Sequence, residues 1–336
     1  MPTISFDNYN QLTHMTDDIQ MIPNEWSRLG GMFTHIGIPS TSVTIDLVKG
    51  QLNVLNDASR GTQAQYGIDD VEKTLSYPTA FFPANDLVTP HDIQNKRKMG
   101  TDSSFDMVDM AVARKLRNLR KAHALTQEFM YWSALKGQLV TPTGKVLGNL
   151  FADFGVTQKT IAFDFANAGA GEVNAKIREL LRHVEDNAYT GGDIGGVEVL
   201  VSPEFFDALI EHVDVKDAYM FYASTQEPLR NDVRRGFTHA GVRFEENRGK
   251  YQKMDGTVER FIAAEQGYAI PTGVEDMFEI YHAPAHHIDY VNQSGEEVYA
   301  WSVPMRDGSG IEIFSQSSSV AICRRPQCVV LVKAGA

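Results

Sequence analysis

Val43, Ile45 and Leu47 alternate strictly with polar residues in TSVTIDLV, the period of two that turns one face of a β-strand toward an apolar surface. QLNVLND and VEKTLSY also read as strand, and ASRGTQAQYGIDD between them is polar and punctuated by glycine, so residues 41–82 predict a long two-stranded ribbon with a soft tip. A ribbon of that kind is marginal alone in water. It packs either on its own core, as an ordinary hairpin, or on another subunit. The next stretch, YPTAFFPANDLVTPHDIQN, sets Pro78, Pro83 and Pro90 around Phe81 and Phe82 and predicts an extended connector with an aromatic anchor.

The period then changes from two to between three and four. Phe105, Val108, Val112, Leu116 and Leu119 form one stripe, Ser103 or Ser104 can cap it, and Asp106 and Asp109 sit in the first turn. The stripe runs on through Phe129 and Met130 to Lys136 and stops at Gly137. A helix over 104–136 is about 48 Å long at ~1.5 Å per residue, longer than a compact domain ordinarily holds. It reads as a structural spine. Arg114, Lys115, Arg117, Arg120 and Lys121 fall on its outer faces, either as a solvated face or as a stripe that pairs with acidic neighbours.

Beyond the spine, QLVTPTGKVLG predicts a hairpin turning at Pro142, Thr143 and Gly144, and 172–185 predicts a second helix. Val197, Val199 and Val201 make a strand, after which Ser202 caps a short helix opened by Pro203. Residues 237–281 alternate strand and turn, and the chain closes with two strand-like runs, GIEIFSQSSSVAICRRP and CVVLVKA. At the other end, Pro2, Pro23, Gly30, Gly31, Gly37 and Pro39 interrupt residues 1–40, which suits an extended arm. The fold class is α+β, with helices inserted among antiparallel strands.

At 336 residues the chain exceeds one compact core, so two domains or one with long extensions are expected. The hydrophobic share of 43% is that of an ordinary globular protein. A net charge of −12 argues against a dedicated nucleic-acid binder, since such binding draws on Lys and Arg. The first 20 residues carry no Lys or Arg and no long apolar run, so neither a secretory signal nor a transit peptide is expected there, nor a membrane span elsewhere.

Candidate chemistry is sparse. Cys323 and Cys328 are expected to be structural thiols; as half of a zinc site they would need the histidines of YHAPAHHIDY. His282, His286, His287 and Asp289 are the densest ligand-like group, but a His-x3-His pair binds metal from a helix, and Pro284 stands inside this one. The run from Gly191 to Gly196 precedes a strand instead of opening a helix, which makes it a turn and not a phosphate loop. No HExxH, Gly-x-Ser-x-Gly or Walker sequence is present, so no catalytic, cofactor or metal residues are assigned.

In order and content these parts resemble the major capsid proteins of lambda-like tailed bacteriophages. VSPEFFDALIEHVDVK resembles that family's strand-Pro-helix, FTHAGVRFEENRGKY the hairpin after it, FIAAEQGYAIPTGVEDMFEIYHAP its strand and loop, and EIFSQSSSVAICRRPQCVVLVKA its C-terminal strands. The resemblance implies an N-terminal arm (1–42), an extended loop (43–85), a peripheral domain with the spine helix (86–164), an axial domain (165–288) and peripheral return strands (289–336). It implies a homo-oligomer of hexamers and pentamers closing an icosahedral shell around the genome. Val43, Ile45, Leu47, Tyr66, Tyr77, Phe81 and Phe82 become candidates for contact between subunits, and Arg114, Arg117, Arg120 and Lys121 for a basic inner surface that touches packaged DNA weakly. A scaffold protein, a portal and a decoration protein are the implied partners. The scaffold is expected as a separate chain, because no long charged helical segment stands at the start, and no match identifies a Lys and Asn pair for cross-linking. Another phage structural protein, such as a tail-tube or connector subunit, is the alternative, with a metal-dependent enzyme built on His282 to Asp289 behind it.

Overall fold

The computed structural model describes residues 16, 19, 28–49, 71–94, 105–188, 194–216, 236–253, 255–274 and 276–335, with backbone alone for 47–49, 71–72 and 105–107. The ribbon tip with Tyr66, the side chain of Leu47, most of the arm, Ser103, Ser104 and the run from Gly191 to Asp193 lie outside the described residues.

The spine is a single helix of 31 residues, α2 (Phe105–Leu135), preceded by a short helix α1 (Pro90–Ile93). It ends where expected. Gly137 takes φ of 72°, and a Cβ there would lie 2.0 Å from the Phe151 ring, so the turn out of the helix needs glycine twice over.

One face of α2 lies on a five-stranded sheet of β1 (Thr34–Gly37), β4 (Ala80–Val88), β14 (Phe278–His282), β15 (Tyr299–Pro304) and β16 (Ile311–Cys323). β16 is its axis. β4 pairs antiparallel with β16 from Ile311 to Ser319, while β15 and then β14 pair antiparallel along its other side, and β1 adds parallel to β14. The Pro-rich stretch expected as a connector is therefore a strand. β4 pairs with β16 alone among the described residues, and Pro83, which has no N–H to give, is accommodated on such an edge strand.

A second sheet has the order β7 (Thr160–Ala162), β17 (Val330–Lys333), β13 (Gln266–Thr272), β8 (Gly196–Val201), β10 (Val242–Glu246) and β9 (Phe237–His239). Helices α4 (Glu172–Ala188) and α5 (Pro203–Glu211) bury Val173, Ile177, Leu180, Val184, Phe205, Phe206 and Leu209 against it. Ser202 caps α5, accepting the Phe205 N–H at 3.3 Å. The two strands of the C-terminal return part company here: β16 is the axis of the first sheet, whereas β17 pairs with β13 and β7 in the second. Conversely β14, expected with the axial segment, belongs to the first sheet. Val330 and Val332 explain the placement of β17, since both point into the apolar core under α4 and α5.

Among the described residues there are also three two-stranded pieces: β2 (Ser42–Lys49) with β3 (Val71–Pro78), β5 (Gln138–Val140) with β6 (Val146–Asn149), and β11 (Lys250–Gln252) with β12 (Val258–Arg260). The single turn α3 (Leu150–Phe154) follows β6. Trp132, near the end of α2, stacks on Phe261 with centroids 5.8 Å apart and meets Tyr268 of the second sheet edge-on, so the spine contacts both halves.

Candidate assembly surfaces

β2 and β3 pair in continuous antiparallel register from Ser42 opposite Pro78 to Lys49 opposite Val71, as the alternation requires. The root of this ribbon is seated on the chain's own body. Val43, Ile45, Leu75 and Tyr77 are buried in one cluster with Leu139, Leu150 and Phe154. Tyr77 donates to Asp153 Oδ2 at 3.0 Å and its ring covers Gly148, where a Cβ would lie 2.5 Å away; burial, with Asp153 beside it, pushes the phenol pKa up. Lys73 Nζ donates to the Asp153 carbonyl at 2.7 Å. This corrects the assignment of Val43, Ile45 and Tyr77 as contacts between subunits, because their apolar face is already covered within the chain. Thr44, Asp46, Thr74 and Ser76 on the opposite face are exposed.

Of the aromatic pair in β4, Phe81 is 46% exposed and Phe82 is half-buried beside the main core. Phe81 meets the ring of His286 edge-on at 6.3 Å, on the sheet face away from α2. On that face Trp301 stacks on Phe314 at 5.8 Å and His287 lies 5.2 Å from Trp301.

The basic residues of the spine do not form one stripe. Arg114, Arg117 and Lys121 are exposed at helical spacing. Arg120, 4% exposed, points the other way and donates to Glu297 Oε2 at 2.8 Å, which removes it from any basic surface. Lys115 is paired with Asp86 at 2.8 Å.

Besides β1, which joins the first sheet, the described part of the arm is tied down at two further places that no sequence pattern marks. Thr16 exchanges hydrogen bonds with the backbone of Ala300, accepting its N–H at 3.2 Å and donating to its carbonyl at 3.1 Å, while Ile19 is buried with Val298 and Ile313. Further on, Arg28 makes a two-pronged ion pair with Glu245, at 2.8 and 2.7 Å, and reaches Glu198 at 2.8 Å. The backbone N–H groups of Arg28 and Leu29 donate to Glu128 on α2, at 3.1 and 3.3 Å. One arginine thus joins the arm to the second sheet while its backbone is held by the spine.

A known family matches this chain over almost its whole length. The family described as "Phage major capsid protein E" matches residues 11–334. The chain belongs to that family. It is 32% identical to the major capsid protein of Pseudomonas phage KPP10, with 99% of each chain covered, and 29% identical to that of Salmonella phage Felix O1, with 97% of this chain and 96% of the relative covered. The fold agrees with that of a candidate capsid protein from a prophage of E. coli CFT073 (TM-score 0.63, 13% identity, 97% and 99% of the two chains). It also agrees with the mature capsid of bacteriophage PhiM1 (TM-score 0.51, 14% identity, 90% and 84%). The protein is a structural subunit of a phage capsid shell and a component of the virion, and the α+β capsid fold is that of its family.

The remaining candidate residues of this capsid protein have structural surroundings. Cys323 and Cys328 are buried free thiols, and burial pushes Cys328 up to about 11 and Cys323 further, which keeps both as inert thiols. Cys328 donates to the Asn187 carbonyl at 3.1 Å. His282 ends β14 and is buried, whereas Asp289 stands exposed in a turn beyond Pro284; among the described residues no three His, Cys, Asp or Glu side chains are placed to hold a metal ion. Gly195 and Gly196 lead into β8, with the Gly195 N–H donating to the Thr272 carbonyl at 2.9 Å. No described helix is long and apolar enough to cross a membrane.

Proposed function

We propose that subunits of this shell interlock through the ribbon beyond its seated root, with residues 50–70 reaching a neighbouring subunit, in hexamers and pentamers that close an icosahedral shell. The observation that supports this is the asymmetry of β2 and β3: Val43 and Ile45 at the start of β2 and Leu75 and Tyr77 toward the end of β3 are anchored on β5, β6 and α3, while the paired strands continue away from that root to Lys49 and Val71. A cantilever with a rigid root positions its far end, and a two-stranded segment with the polar, glycine-containing sequence of residues 50–70 is marginal alone and gains stability against a second surface. In this arrangement the sheet carrying β4, β15 and β16 with the spine is the peripheral domain, and the sheet under α4 and α5 is the axial domain. The exposed face with Arg114, Arg117 and Lys121 lines the inside, where three cations on a chain of net charge −12 give weak, salt-sensitive contact with DNA. A separate scaffold protein, a portal at one vertex and a decoration protein complete the assembly.

Deleting residues 57–70 tests the ribbon. The expected product is a folded, soluble subunit that fails to close shells in negative-stain electron microscopy when co-expressed with its scaffold; shells of normal shape from the deletion would overturn the reading.

A further inference from the structure

The spine helix holds the first sheet with apolar side chains at both ends and polar ones between. Near its start Val112, Leu116 and Leu119 cluster with Ile311 and Ile313 of β16, and near its end Met130 and Leu135 cluster with Val320 and Ile322. Helix and strand therefore run in the same direction. Between these blocks the inward stripe is Arg120, His123 and Gln127, opposite Ser315, Ser317 and Ser319. His123 fixes the register, with Nδ1 2.8 Å from Ser317 Oγ and Nε2 2.9 Å from Ser315 Oγ. Four helical residues advance about 6 Å and two strand residues about 6.6 Å. Gln127 thus lies one step on, over Ser319.

Ser319 is the cross-strand partner of His282. The His282 ring sits 3.0 Å from His35 Nδ1, and Tyr131 of α2 lies 3.4 Å from the other nitrogen of His35. Arg120 and Glu297 close the seam on the β15 side with their 2.8 Å pair.

Several polar atoms of this seam are met by no protein group. Among the described residues, Arg120 Nε and Nη1, Gln127 Nε2 and Oε1, His282 Nδ1 and Ser319 Oγ are all buried without a protein partner. Gln127, at 1% exposure, has neither amide atom bonded. Buried polar groups are rarely left in that condition, because each forfeits its hydration without compensation. The chemistry of the six atoms selects what would satisfy them. Three are donors, Gln127 Oε1 is an acceptor, and His282 Nδ1 and Ser319 Oγ can act as either. A cation is disfavoured by Arg120. An anion would meet the donors but oppose Gln127 Oε1 and Glu297, which already balances Arg120. Water is neutral, gives and accepts, and in buried sites makes about three bonds.

We propose that the seam binds a cluster of ordered water molecules that bridges Arg120, Gln127, His282 and Ser319 and joins the middle of the spine helix to β16. A bond to water re-forms after a small displacement, whereas an interlocked apolar contact does not, so the centre of α2 has an adjustable seat between two fixed ends. The first test is a density map of the assembled shell at a resolution that shows ordered water. Connected peaks within hydrogen-bond distance of the Gln127 amide and the Arg120 guanidinium are expected; a dry seam with the Gln127 amide bonded directly to protein groups would overturn the proposal. The second is the Tm of Gln127→Leu. If water fills the seam, the substitution strands that water and lowers Tm by a few degrees; if Gln127 is dry and unsatisfied, leucine removes a penalty and Tm stays level or rises, which counts against the proposal. Should the variant not fold, the wild-type map decides alone.

Discussion

The two sheets of this capsid subunit are covered by helices in opposite ways. α4 and α5 meet the second sheet through valine, isoleucine, leucine and phenylalanine, with Phe205 set edge-on to Phe163 and Phe165 at 5.6 and 5.1 Å. α2 meets the first sheet through apolar blocks divided by arginine, histidine and glutamine facing three serines. An apolar interface is non-directional in its attraction but exacting in shape, so it has one good geometry and is indifferent to pH. A buried polar interface is directional, satisfied only by particular partners, and altered by a single proton. One sheet carries a rigid module. The other carries the spine on contacts that respond to their surroundings.

The largest effect that separates the two is truncation in the apolar interface. Phe205→Ala, at a fully buried position, is expected to cost about 3–5 kcal/mol in denaturant unfolding. A cost under about 1 kcal/mol would mean that the second sheet is as adaptable as the first, and the contrast would fail.

Acid comes next and acts on the polar seam. Burial, with Arg120 beside it, lowers the His123 pKa to about 4, and burial with His35 beside it does the same for His282, from an ordinary 6.5. The groups facing them are His35, Arg120, Tyr131 and Glu297 with Ser315, Ser317 and Ser319. Burial resists ionisation of Glu297, but its hydrogen bond to Arg120 and the surrounding positive charge outweigh that and hold its pKa down. The sign is set by proton uptake: between about 4 and 6.5 the unfolded chain binds protons that the folded histidines refuse, so stability is full above pH 6.5 and falls as pH drops toward 4. A loss on the order of a few kcal/mol is expected across that window. His123→Gln keeps one donor and one acceptor for the two serines and cannot titrate, so it is expected to flatten part of the pH dependence of Tm; an unchanged slope would place the acid sensitivity elsewhere.

The smallest effect lies where the arm meets the module. Arg28→Ala removes a half-exposed ion pair, and a double-mutant cycle with Glu245→Gln is expected to give a coupling of about 1 kcal/mol that shrinks with added salt. Coupling near zero would mean that the pair with Glu245 adds nothing, and would leave the arm to Glu198, Glu128, the contacts of Thr16 and Ile19 and the pairing of β1.

Much of this architecture was legible in the chain because it follows from local period and punctuation. The alternation at Val43, Ile45 and Leu47, the stripe from Val108 to Leu119 ending at Gly137, the turn at Pro142 to Gly144, and the Ser202 cap before Pro203 each state an element through steric and hydrogen-bonding needs met within a few residues. Where an element packs is a different question, decided by residues far away in sequence. Val43, Ile45 and Tyr77 alternate as a ribbon must, yet only β5, β6 and α3 decide that the covered face is covered at home. The proline-bearing stretch became an edge strand because β16 offered it a partner. Arg117 and Arg120 are indistinguishable as letters, and the three-residue step from one to the other along the helix leaves one in solvent and the other on Glu297. The serines of β16 lie in a run that reads simply as strand, and only the helix laid across it supplies the histidine and glutamine that make it a polar seam. Sequence by itself determined the elements and their order; the tertiary structure decided which faces are buried and which charges are paired, because burial and pairing belong to contacts between residues and not to residues.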